Sequence, residues 1–165
     1  MSDTIYLFFL FAISIHNIEE AIWLPKWSKY ASRFHKEVKP YEFHFAVIIV
    51  TVFAYLFTAL FFMFQDSFIL KYLYFGFLGA MVINVFFPHL VATIVIKRYT
   101  PGLITGLTLV LPISSLIIYF ALKYHVIDWI MLVISTVFVG VLLLLSLRPL
   151  FKLGEFIKEY HWCIK

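Results

Sequence analysis

Five stretches of this chain are apolar for about the length of a bilayer crossing, and that pattern leaves few folds open. Phe43–Phe64, Tyr72–Ile96, Leu103–Leu122 and Trp129–Leu147 are nearly free of charge. Each approaches the roughly 20 residues that a helix rising about 1.5 Å per residue needs to span the hydrocarbon core. The fifth stretch, Ile5–Leu24, comes first and is interrupted by His16-Asn17-Ile18-Glu19-Glu20 before Ala21-Ile22-Trp23-Leu24 restores its apolar character. Backbone groups in hydrocarbon must pair within the chain, so such runs fold as helices. The expected fold class is all-α: a polytopic membrane helix bundle of about five transmembrane helices. A re-entrant or interfacial helix is the alternative for Ile5–Leu24.

Composition agrees. The chain is 64% hydrophobic and 13% charged, against about 45–50% and about 25% in soluble domains. A single integral membrane domain over residues 1–165 is expected, in the cell membrane, with the bilayer as its solvent. The net charge of +4 does not point to nucleic acid, because the basic residues cluster in short loops. Cys163 is the single cysteine, so no internal disulfide is expected. Asp3 stands where a signal peptide would be basic, and no small-residue cleavage site follows. Met1–Leu24 therefore reads as retained structure.

The same loops set a direction. Eleven Lys and Arg follow the odd-numbered spans, whereas only Lys71 and Lys123 follow the even ones. Positive charge stays inside, which predicts an outside N-terminus and a cytoplasmic C-terminus. Trp23, Trp27 and Tyr41 then fall at the cytoplasmic interface. Two segments, residues 25–42 and 149–165, read as amphipathic and interfacial. Trp27, Tyr30 and Phe34 line one face of the first. Leu150, Leu153, Ile157, Tyr160 and Ile164 line one face of the second.

Polar residues inside the spans carry the chemistry. His16, Glu19 and Glu20 sit at i, i+3 and i+4, so on a helix both carboxylates flank the imidazole. Asn84 and His89 lie in the third span beside Pro88, Thr105 lies one turn into the fourth, and His44 opens the second. With this topology, four helices deliver polar groups to the cytoplasmic half. Imidazole and carboxylate donors suit a divalent metal, zinc first and iron or manganese next. His16, Glu20 and His89 are the candidate ligands. Glu19 and Glu20 are the candidate catalytic carboxylates, one as ligand and one as general base. Without a metal, two adjacent carboxylates in low dielectric would not both stay ionised, and one could act as a proton donor. A purely structural hydrogen-bonded network is the alternative. His35, His125 and His161 fall at or beyond the interface as ordinary solvated histidines.

Thr100-Pro101-Gly102 reads as a helix start with Thr100 at the N-cap and Pro101 at N1. Its free amides, with Lys97 and Arg98 just before them, form a candidate anion site for a lipid headgroup, to which Asn84 and Thr105 would contribute. An ordinary capped helix start is the alternative. Pro112 should kink the fourth span.

The motif His16-Asn17-Ile18-Glu19-Glu20, the Asn84…His89 pair and Pro101-Gly102-Leu103-Ile104-Thr105 together resemble the HXXEE family of multi-pass membrane proteins, over His16 to about Pro112. That resemblance implies a metal site or an enzymatic role, for a family with no settled reaction. One departure stands out. The family's middle motif is NXXXH, whereas Asn84 and His89 are five residues apart. A regular helix would turn them roughly 140° from one another. A local bulge at Pro88 would restore the alignment.

The expected function is a metal-dependent enzyme, catalysing hydrolysis or acyl transfer on a lipid-like substrate at the cytoplasmic leaflet. A metal-free acid/base isomerase, or a non-enzymatic binding, immunity or proton-coupled transport protein, are the alternatives. No internal repeat of the kind common in transporters is evident.

Overall fold

The computed structural model describes residues 4–31 and 37–163, and among these the chain is helical with no strand. Five helices are long and apolar enough to cross a membrane. They are α1 (Thr4–Trp27), α2 (Pro40–Met63), α3 (Phe68–Ile96), α4 (Leu103–Lys123) and α5 (Trp129–Cys163). Their outward faces are apolar, with Ile69, Ile130 and Leu145 among the most exposed side chains. Water would penalise such a surface, and hydrocarbon would not.

α1 runs unbroken through HNIEE and on through Pro25. Its 24 residues measure about 36 Å, long enough for a full crossing and without an internal break. A short 3₁₀ turn, Ser28–Ala31, follows. It is closed by the Ser28 hydroxyl, which donates to the Pro25 carbonyl at 2.8 Å.

α2 and α3 both pack against α5, and α1 packs against α2 and α4. The α3–α5 seam uses small residues. A methyl group on Gly76 would come within 2.5 Å of the Ser135 carbonyl oxygen, and one on Gly79 within 2.0 Å of Thr136 Oγ1. Membrane helices lack a hydrophobic drive to associate, so close backbone approach of this kind supplies much of their packing energy. At one end of the bundle an aromatic cluster fills the core. Phe61 stacks on Tyr74 with centroids 4.7 Å apart, and Tyr6, Phe9, Phe75 and Phe77 surround them.

α3 begins at Phe68, earlier than the apolar run implied, because Ser67 caps it through its side chain to the Leu70 amide. Two wide turns interrupt the later helices. Val85–Leu90 in α3 has extended backbone at Phe87 (φ −131°, ψ 113°). Gly106–Val110 in α4 lies just before Pro112, so the irregularity expected at that proline sits one turn earlier.

The tail beyond Leu147 continues α5 through Pro149 and starts no separate element. Gly154 packs on the start of α2, where a methyl group would lie 3.0 Å from Phe45 Cβ. Lys39 and Glu155 pair at 2.6 Å beside it. Phe34, His35 and Ile164, and the side chains of Tyr160 and His161, lie outside the described residues.

Candidate functional site

The polar groups of α1, α3 and α4 meet at the opposite end of the bundle from the aromatic cluster. Local structure explains how each arrives. His16, Glu19 and Glu20 share one face of α1 by helical spacing alone. Asn84 and His89 share a side only because α3 leaves helical geometry at Phe87. That wide turn absorbs the extra residue and brings Asn84 Nδ2 to 3.1 Å from His89 Nε2. The bulge expected at Pro88 is present, and Asn84 reaches the site. Such turns recur at functional positions in helices.

His16 and His89 are both 1% exposed. Their rings meet edge to face, with centroids 5.3 Å apart. Glu20 Oε1 lies 2.9 Å from His89 Nε2 and 3.8 Å from His16 Nε2. One donor atom from each of His16, Glu20 and His89 falls within 4.8 Å of the other two. This is a donor set able to hold a metal ion.

Glu19 turns away from that point, to the start of α4. It accepts from the Gly102 amide at 2.8 Å, the Thr105 amide at 3.2 Å and the Thr105 hydroxyl at 2.6 Å. Tyr99 also donates to it. The helix therefore starts later than the sequence pattern implied. Gly102 (φ 92°) is its N-cap, and Glu19, from another helix, supplies the capping carboxylate in place of Thr100. Of the amides expected to face a headgroup phosphate, those of Gly102 and Thr105 are taken by Glu19 and that of Ile104 by Tyr99. Lys97 and Arg98 are exposed, and the Arg98 guanidinium lies 4.4 Å from the Tyr30 ring centroid.

Gly102 also sits against the cluster. A methyl group there would lie 2.7 Å from His89 Cε1, 3.0 Å from His16 Cε1 and 3.1 Å from Glu20 Cγ. His44 does not join. Pro25 has no N–H for the carbonyl of Ala21 one turn earlier, and His44 Nε2 meets that carbonyl instead at 2.8 Å. Asn17, the second residue of the motif, ties α1 to α2 by donating to Thr51 Oγ1 at 2.7 Å.

Pattern reading missed Tyr99, whose hydroxyl receives the Ile104 amide at 3.3 Å while donating to Glu19. Burial, and then the bond to Glu19, push its phenol up to about 12. Nothing in the sequence separates it from an ordinary interfacial tyrosine. Gly102 was visible only as a letter of the PGLIT motif, and Thr93, which receives the Thr100 amide at 3.1 Å, carried no signal.

A cavity of about 530 Å³ adjoins the cluster, with Glu20, Asn84 and His89 in its wall. Lys97, Arg98 and Thr105 are not among its lining residues.

A family model described as "Protein of unknown function with HXXEE motif" matches residues 7–117. The chain is 53% identical over 148 residues to the uncharacterized protein YrkK of Bacillus subtilis (strain 168), covering 90% of this chain and 94% of that protein. No solved structure matches.

Proposed function

The chain belongs to the HXXEE-motif family, and on that footing we propose that it is a metal-dependent enzyme of the cell membrane. In this reading it spans the bilayer five times, N-terminus outside, and hydrolyses or transfers an acyl group of a lipid-like substrate at the cytoplasmic leaflet. The charge asymmetry of the loops supports that direction.

One observation carries the reading: His16 Nε2, His89 Nε2 and Glu20 Oε1 converge beside an apolar cavity. Ligands about 2.0–2.1 Å from a tetrahedral zinc lie about 3.3 Å from one another. The Glu20 separations of 2.9 and 3.8 Å bracket that spacing. Two imidazoles and one carboxylate also leave a fourth position open, as catalytic zinc sites do. Zinc is the first choice, with iron or manganese next. When bound, such an ion supplies Lewis acidity toward a carbonyl or phosphoryl oxygen and a water of lowered pKa.

The chain's own residues do the rest. Glu20 is the ligand carboxylate. Glu19, committed to four donors, positions Thr105 and through it His16. Asn84 lies 3.1 and 3.5 Å from the two imidazole Nε2 atoms, close enough to hydrogen-bond a substrate oxygen held between them.

Metal analysis of protein purified in mild detergent, without a histidine tag, tests this. We expect about one zinc, iron or manganese per chain, lost in the His16→Ala/His89→Ala variant. A metal-free native protein, or an unchanged metal content in that variant, overturns it. The 2.9 Å pair of Glu20 and His89 favours a second reading, a metal-free isomerase that shuttles a proton between them. A folded chain that purifies metal-free and takes up no added zinc supports that reading instead.

A further inference from the structure

The cavity beside the cluster has features that an ion site alone does not require. It lies between α1, α2, α3 and α5, and its deeper wall is apolar, with Val50, Met81 and Leu143 in it. Three side chains in the same wall carry buried polar atoms without a partner: Trp27 Nε1, Thr100 Oγ1 and His89 Nδ1. Only five such atoms occur among the described residues, so three on one wall is a concentration. Thr100 is 2% exposed and His89 1%. Buried donors left without acceptors are costly, and folded proteins satisfy them with a water, an ion or a ligand.

The chemistry of the wall narrows what binds. Trp27 offers only an N–H, and Thr100 can turn its hydroxyl hydrogen outward, so the occupant needs acceptor oxygens. Among the described residues no lysine or arginine lines the cavity, and Glu20 does. Where no ion is bound, an anionic head would meet the Glu20 carboxylate, so the wall favours an uncharged head over an anionic one. The size is also selective. At about 530 Å³ the cavity falls within the range of small-ligand sites, about 300–1,000 Å³. That suits one apolar chain with its head better than two chains.

We propose that this cavity binds a single-chain lipid with an uncharged, acceptor-rich head, of the ester or amide class. The chain lies among Val50, Met81 and Leu143. The head lies toward Trp27, Thr100 and the Glu20–His89 pair. Taking that pair as the reacting centre rests on the enzymatic reading above, whereas binding itself needs no ion.

The test uses the full chain in nanodiscs and two photoactivatable probes with a terminal diazirine: a monoacylglycerol and a plain alkane of the same length. The monoacylglycerol probe should label residues near Val50, Met81 or Leu143. Val50→Trp, or independently Leu143→Trp from another helix, should cut that labelling at least tenfold in protein whose thermal midpoint and metal content are unchanged. Trp27→Phe and Thr100→Val should each weaken the monoacylglycerol about fivefold and leave the alkane unaffected. Labelling confined to the outward faces, labelling unmoved by both tryptophan variants, or equal loss of the two probes overturns the proposal. The two readings fail separately. Metal-free protein that labels as described retains the lipid site without the ion, and metal-loaded protein labelled only on its surface does the reverse.

Discussion

The hydroxyl of Thr105 donates to Glu19 Oε2 across 2.6 Å, and that bond decides which nitrogen of His16 carries a proton. A carboxylate is acceptor-only, so the single hydroxyl hydrogen points at Glu19. Its other acceptor, the Gly102 carbonyl, is farther away at 3.4 Å. Thr105 Oγ1 can then only accept from His16 Nδ1, 3.1 Å away. The neutral imidazole is held as the Nδ1–H tautomer, with the Nε2 lone pair turned toward Glu20 and His89. Partners of this kind commonly orient metal-binding histidines. Glu19 and Glu20, adjacent in sequence, thus face different partners.

Removing the hydroxyl should therefore weaken the site without touching a ligand. Thr105→Val is expected to lose about 10–100-fold in metal affinity, measured by competition with a chromogenic chelator. Thr105→Ser keeps the hydroxyl and should stay near the parent. Glu19→Gln, which cannot accept through its amide nitrogen, should fall with the valine variant. Equal affinities for the valine and serine variants would show that the relay has no role.

Gly102 is constrained twice, by its left-handed backbone (φ 92°) and by the imidazoles 2.7 and 3.0 Å from where a methyl group would sit. The backbone alone costs an alanine about 1–2 kcal/mol, and both rings are fully packed. Gly102→Ala should lower the thermal midpoint and abolish stoichiometric metal together. A variant with native metal content would mean that α4 can shift away from the site at little cost.

The α3–α5 seam makes a different prediction, of stability alone. Gly79→Ala collides with the Thr136 side chain, whereas Gly76→Ala collides with the Ser135 backbone carbonyl. Thr136→Ala removes two of the three atoms in the way, leaving Cβ at 2.9 Å. It should partly restore the thermal midpoint of Gly79→Ala and do nothing for Gly76→Ala. Rescue of both, or of neither, would place the contact elsewhere.

How much of this was legible in the chain follows from what each feature depends on. Span number rests on hydropathy, a local property, and all five runs became helices. The His16-Glu19-Glu20 face rests on helical period, also local. The α3 departure could be located, because a fourth residue between Asn84 and His89 had to go somewhere and Pro88 marked the spot. Glu19's attachment to α4 could not be read. Capping from another helix leaves no trace near Thr100, where a local N-cap looked sufficient. His44 is a similar case. Its partner exists because Pro25, nineteen positions earlier, left a carbonyl free, and only the packing of α2 on α1 brings the two together.

Alkaline titration offers a last test, centred on Tyr99. Its phenol is pushed up to about 12 from 10.0, first by burial and then by its bond to Glu19. Between those values the unfolded chain gives up this proton while the native chain keeps it, so stability is whole below pH 10 and falls as pH rises toward 12. Tyr99→Phe has no proton to lose there. At neutral pH it should be the less stable protein, because Glu19 loses a donor and the Ile104 amide loses its acceptor. Raising the pH should then close the gap, since the parent alone pays the titration and the other tyrosines and lysines are common to both. Tyr99 is 43% exposed, so the convergence will be modest. Paired thermal midpoints in detergent from pH 8 to about 12 read it directly. A gap that stays constant across that window would mean the Tyr99–Glu19 bond does not hold in the folded protein.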